Sequence, residues 1–72
     1  MLKIKDNVDL KELEKFGFLF VFDNSIEMIK HLNNHGNVFI ERYTHQIMYW
    51  KKEDIEDLIK EDLVEKVSDG NE

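Results

Sequence analysis

Three histidines, at positions 31, 35 and 45, are the side chains of this sequence best suited to binding a transition metal. His31 and His35 are four residues apart, a spacing that places two imidazoles on one face of a helix. The surrounding residues favour a hairpin instead, and in a hairpin this spacing brings no pair of ligands together. Because the chain has no cysteine, a thiolate site is excluded as well. We therefore expect no metal and no other cofactor.

Residues suited to nucleophilic or acid–base catalysis are scattered along the chain. The hydroxyl-bearing candidates Ser25, Thr44 and Ser68, and two tyrosines, stand outside any G-x-S-x-G context. The three glycines are isolated from one another, so no glycine-rich loop could surround a phosphate. Most carboxylates fall on one solvated helix face, where neither burial nor a pocket would perturb their pKa values. The sequence predicts a protein that is not an enzyme.

The charge of the chain is unevenly distributed and argues against nucleic acid as a partner. The formal net charge is −6, and residues 53–72 hold nine of the sixteen acidic residues, which leaves residues 1–52 nearly neutral. Nucleic-acid binding draws most of its affinity from clustered positive charge. The basic residues that do cluster are Arg42, Lys51 and Lys52. They leave one alternative open, a nucleic-acid-binding or transcription-regulatory module that uses the 38–52 hairpin.

The length and composition predict a single small globular domain over residues 1–72. The chain is 42% apolar and 36% charged, the balance of a folded soluble protein. No window approaches the roughly 18 consecutive apolar residues of a membrane span. The first six residues contain no apolar core of signal-peptide length, so we expect a cytoplasmic protein. Residues 68–72 are expected to fray.

The first half of the chain predicts a helix followed by strands. Asp9 is a good N-cap for a helix over 9–15, Glu12 stands three residues later, and Gly17 supplies the stop. Residues 18–22 are continuously apolar, which predicts a strand covered on both faces. Residues 25–32 fit either a helix or a strand. The turn-like residues 33–37 that follow favour the strand.

The second half predicts a hairpin, a helix and a possible last strand. Residues 38–43 and 46–50 are rich in branched and aromatic side chains, with Thr44 and His45 between them. That pair lacks the glycine of a tight turn, so the loop is expected to be longer or bulged. Asp54 is expected to cap a second helix, whose pattern changes near Asp62. Residues 63–67 could then form a final strand. The predicted fold is α+β, a small antiparallel β-meander flanked by two short helices.

Aromatic residues make up 11% of the chain and give the most specific indication of function. They alternate along the predicted strands, so bulky apolar groups fall on both faces of the sheet. One interpretation is that the helices and chain ends cover both faces. The other is that a second molecule covers the remainder, because exposed aromatic surface is costly in water and is enriched at interfaces. The residues of this candidate association surface are Phe18, Phe20, Phe22, Tyr49 and Trp50.

Both ends of the chain carry a likeness to a known group of proteins. The segments are KIKDNVDLKELEKFGF at 3–18 and DLIKEDLVEKV at 57–67, and they bracket a tyrosine- and phenylalanine-rich middle. With these segments the chain resembles the YopT-like family of short proteins encoded by phages and prophages of Firmicutes, including Bacillus. The resemblance implies an α+β homodimer and carries over no functional residue. The expected function is that of a non-catalytic accessory protein that self-associates and could bind a host or phage protein.

Overall fold

Six β-strands and two helical segments make up the part of the chain that the computed structural model describes, residues 1–32 and 36–67. Strands β2 to β5 form an antiparallel sheet in sequential order, and β1 pairs with β6 in a separate antiparallel ladder. The predicted α+β meander with two short helices is confirmed. The elements are β1 (Leu2–Ile4), a 3₁₀ helix (Leu10–Phe16), β2 (Leu19–Phe20), β3 (Glu27–His31), β4 (Asn37–Glu41), β5 (Ile47–Met48), a second 3₁₀ helix (Lys52–Ile55) that continues as α1 (Glu56–Lys60), and β6 (Val64–Lys66).

The first helical segment begins and ends where the sequence predicts. The side chain of Asp9 accepts a hydrogen bond from the Lys11 amide at 3.0 Å and so caps the N-terminus. At the other end Gly17 adopts φ +97°, a left-handed conformation that glycine reaches without steric cost. The segment is a 3₁₀ helix over its seven residues.

The strand predicted over residues 18–22 is much shorter than expected. Only Leu19–Phe20 pair with β3, and Leu19 is exposed, so the prediction of a strand covered on both faces is wrong. The chain leaves the sheet because Ser25 closes a turn on Phe22. The Phe22 amide donates to Ser25 Oγ at 2.9 Å, and the Ser25 amide donates to the Phe22 carbonyl at 3.0 Å.

The central hairpins follow the predicted order. Residues 25–32 form a strand, Glu27–His31, and not a helix. The turn predicted at 33–37 lies partly outside the described residues, since 33–35 are not described. Between β4 and β5 the loop has five residues, 42–46, which confirms a connection longer than two residues. Within that loop His45 adopts φ +64°.

The C-terminal helical segment starts earlier than the sequence indicates. Helical turns begin at Lys52, so Asp54 lies inside the first turn and is not the N-cap, because the 3₁₀ helix Lys52–Ile55 forms ahead of α1. The expected change near Asp62 is confirmed, since that residue has φ +59° just before β6. β1 has no counterpart among the elements predicted from the sequence. Residues 68–72, predicted to fray, lie outside the described residues.

The core lies on one face of the four-stranded sheet, which we call the inner face. The pairing of the four strands brings one side chain from each strand into line across this face. The two helical segments pack against the same face. The strand residues of this line are Phe20, Met28, Ile40 and Ile47. The helical residues that cover it are Leu10, Leu13, Ile55 and Leu58. The opposite, outer face therefore has no helix over it in the described part of the chain.

Two methionines provide a matched test of this assignment of faces. Met28 is fully buried on the inner face, whereas Met48 is 62% exposed on the outer face. Met28→Ala should lower the free energy of unfolding by about 2–5 kcal/mol, because it leaves a cavity in the core. Met48→Ala should change it by less than about 0.5 kcal/mol. Urea denaturation at low protein concentration measures both, and similar losses for the two variants would contradict the assignment.

Candidate association surface

An unbroken line of apolar side chains crosses the outer face of the sheet. Leu19 pairs with Ile29, Ile29 with Phe39, and Phe39 with Met48, so one residue from each strand lies in line. Because side chains alternate between the faces of a sheet, these four residues share the face opposite the core. We call them the apolar row. At its ends Leu19 is 56% and Met48 62% exposed, and the two central residues are partly buried.

Polar pairs flank the apolar row on both sides. On one side Glu27 lies directly opposite Glu41, and on the other His31 lies opposite Asn37. Among the described residues neither of these carboxylates forms an ion pair, and like charges in direct cross-strand pairs are destabilising. The His31 Nδ1 and Asn37 Oδ1 atoms are 2.7 Å apart. Since an amide oxygen only accepts, Nδ1 carries the proton and Nε2 is left to bind elsewhere.

The turn between β2 and β3 extends the apolar surface beyond the row. Val21, Phe22 and Ile26 are all exposed there, with Phe22 at 69%. Together with Ile29 they line a shallow open groove of about 370 Å³, to which Ser25 and Glu27 also contribute. The exposed apolar residues of the turn thus adjoin the apolar row at this end of the sheet.

Arg42, the first residue after β4, holds the β2–β3 turn in place. Its Nε donates to the Ser25 carbonyl and its Nη2 to the Asp23 carbonyl, both at 2.7 Å. Its guanidinium carbon lies 3.8 Å from the centroid of the Phe20 ring, a stacked cation–π geometry. The contacts fix a turn that has few buried side chains of its own. The exposed residues of the turn are thereby presented in a defined conformation.

The five residues predicted for the association surface do not come together. Phe18 is 1% exposed and belongs to the core, so its assignment to a surface is wrong: it packs inward ahead of β2. Phe20 is on the inner face beneath Arg42, and Tyr49 is partly buried against the core. Phe22 and Trp50 are exposed, Trp50 at 79%. They lie near opposite edges of the sheet, one after β2 and the other after β5.

The apolar row was not predicted from the sequence, because the aromatic residues from which the association surface was predicted include none of its four members. Three of the four members are aliphatic or sulfur-containing. The signal that could have found them is the alternation in β4, where Val38 and Ile40 are buried and Phe39 between them is not. Extending that alternation to neighbouring strands needs the register, which short strands do not reveal.

Arg42, the first of the basic residues of the 38–52 hairpin, is committed to contacts within the fold. Its Nε and Nη2 atoms donate to backbone carbonyls of the β2–β3 turn. Lys51 Nζ lies 3.9 Å from a carboxylate oxygen of Glu53, and both side chains are exposed. The geometry therefore gives the nucleic-acid alternative little support, since its central residue serves the fold.

Polar chemistry elsewhere in the described residues is that of an exposed surface. The pKa of Asp6 is lowered, and that of Lys3 raised, by the 2.9 Å hydrogen bond between their side chains. His45 Nδ1 lies 3.3 Å from the Lys5 carbonyl, at the junction of β1 with the β4–β5 loop. Within residues 1–32 and 36–67, no three metal-ligating side chains gather into a possible site. His35 of the expected histidine set lies outside those residues.

Comparison with known proteins adds no relative: no family model, no curated protein and no solved structure matches the chain. Among the described residues, no helix has the length and apolar character needed to cross a membrane.

Replacement of Arg42 should loosen the β2–β3 turn. Arg42→Met removes two charge-assisted hydrogen bonds and the cation–π contact, and we expect a loss of about 2 kcal/mol in the free energy of unfolding. Arg42→Lys keeps the charge but not the planar fork, so it should recover less than half of that loss. Urea denaturation measures stability, and amide exchange at Phe22 and Ser25 reports on the turn. Full recovery by lysine would show that charge alone suffices.

Proposed function

We propose that this protein is a non-catalytic association module that forms a homodimer and acts through protein–protein contacts. The observation that carries the proposal is the apolar row, which crosses the outer face of the sheet with no helix above it in the described residues. Single exposed apolar residues are ordinary on protein surfaces. A line of four that is continuous with an exposed turn is the kind of contiguous patch that marks an interaction site.

The apolar area that two copies could remove from water sets the strength of the association. Burial of apolar surface is worth about 25 cal/mol per Å², and the row spans about 14 Å from β2 to β5 at ordinary strand spacing. A face of this size covers a few hundred Å², less than the roughly 800 Å² that each partner contributes to a standard interface. We therefore expect self-association in the micromolar range and not a permanent dimer.

The biological setting in this proposal comes from the resemblance of residues 3–18 and 57–67 to YopT-like proteins. On that basis the protein is an accessory protein of prophage origin that works in the cytoplasm. Its further partner would be a host or phage protein. A pull-down from host cells, with and without phage genes expressed, tests this part. Recovery of one specific protein whose capture depends on the apolar row would support it.

Self-association should depend on the outer face. Met48→Lys places a charge at the end of the apolar row and should weaken dimerisation at least about tenfold, because the charge would have to be desolvated. The matched control is Tyr43→Lys. It changes a residue of comparable exposure, 79%, in the β4–β5 loop away from the row. The control should associate like the unmodified chain. Light scattering over a concentration series measures both, and a strictly monomeric unmodified chain would overturn the proposal.

A further inference from the structure

The outer face has a charge pattern that is complementary to itself in one orientation. In β3 the carboxylate of Glu27 and the imidazole of His31 lie two residues to either side of Ile29. In β4 Glu41 and Asn37 flank Phe39 in the same way. The face is therefore acidic along one side of the apolar row and carries a histidine along the other. A second copy packed face to face with its strands running in the opposite direction would place the acidic side of each copy against the histidine side of the other.

Symmetry leaves two limiting ways to place two such faces together. Identical sheets packed face to face are related by a two-fold axis that lies between them, parallel to both. With the axis along the strands, Glu27 faces the partner's Glu41, and its symmetry mate does the same. Four carboxylates would then meet at one end of the interface, a juxtaposition that costs free energy in every pair.

With the axis along the apolar row, the contacts between the paired outer-face residues become favourable or neutral. Each residue of the row lies against its own copy, Ile29 on the partner's Ile29 and Phe39 on the partner's Phe39. Glu27 faces the partner's His31, and the contact occurs twice by symmetry. Glu41 faces the partner's Asn37. The protonated His31 ring suits this role, because both of its nitrogens then carry a proton: Nδ1 donates to Asn37, and the Nε2–H is left to donate to the carboxylate.

We infer that two copies of this chain pair through their outer faces about a two-fold axis that runs along the apolar row, with Glu27 opposite the partner's His31. This inference rests on the proposed function and adds the orientation of the two faces and the charged contacts between them. The apolar row supplies the contact area. The flanking charges select the orientation, because they repel in the alternative arrangement and attract in this one.

Charge substitutions distinguish the two orientations. Sedimentation equilibrium at low salt and mildly acidic pH, conditions that favour the protonated form of an imidazole, gives the dimer dissociation constant. Glu27→Lys and His31→Glu should each weaken dimerisation about tenfold, because each sets two like-charged pairs together. An equimolar mixture of the two variants should return to within about threefold of the unmodified protein, because each heterodimer contact is again between opposite charges.

Glu41→Lys is the matched control, since it makes the same change of charge on the neighbouring strand. In the proposed orientation it faces the partner's neutral Asn37, so the dissociation constant should stay within about threefold. If Glu27→Lys and Glu41→Lys both tighten dimerisation, the axis runs along the strands and the inference fails while the proposed function stands. If the charge variants all leave an observed dimer unchanged, the interface lies elsewhere and the inference fails. A monomer at every concentration overturns both.

Discussion

The pleat of a small antiparallel sheet is the constraint on which the rest of this structure depends. Each residue that points into the core is flanked along its strand by residues that point away from it. Met28, Ile40 and Ile47 are buried beneath the two helical segments, and the residues beside them face outward. The helical segments available within the described residues cover one face. Apolar residues at the outward positions consequently remain in water in a single copy. Because side chains alternate between the two faces, the outward apolar residues of neighbouring strands line up as the apolar row.

Arg42 shows how a turn whose apolar side chains are exposed can still be ordered. The residues between β2 and β3 place their apolar side chains outside, so they have little packing of their own. The guanidinium supplies order instead, by donating to two carbonyls and stacking on Phe20. A planar, permanently charged fork suits that task better than an ammonium group. Arg42, which the sequence suggests as a contact for nucleic-acid phosphates, thus joins the β4–β5 loop to the β2–β3 turn through non-covalent contacts.

Local signals in the sequence translate well into structure, and long-range ones do not. Asp9 and Gly17 could be assigned from sequence because capping chemistry acts within a few residues. β1 was not predicted, because its three residues owe their strand conformation to β6, some sixty positions away. The end of β2 was misplaced because apolar composition does not reveal that the Ser25 hydroxyl closes a turn. The exposure of the residues of the candidate association surface could not be deduced for a related reason. Strands of two residues, such as β2 and β5, show no alternation from which to deduce a face.

The ladder between β1 and β6 has a kinetic consequence. Lys3 pairs with Glu65, and the Val67 amide donates to the Met1 carbonyl at 3.0 Å, so the two extremes of the described chain meet. Closing so long a loop costs more chain entropy than closing any single hairpin of the meander, and non-local pairings of this kind slow folding. The hairpins should therefore assemble early and the ladder last. Its two short strands would also be the first to separate under mechanical load applied at the ends, and their separation would withdraw the buried Ile4 side chain from the core.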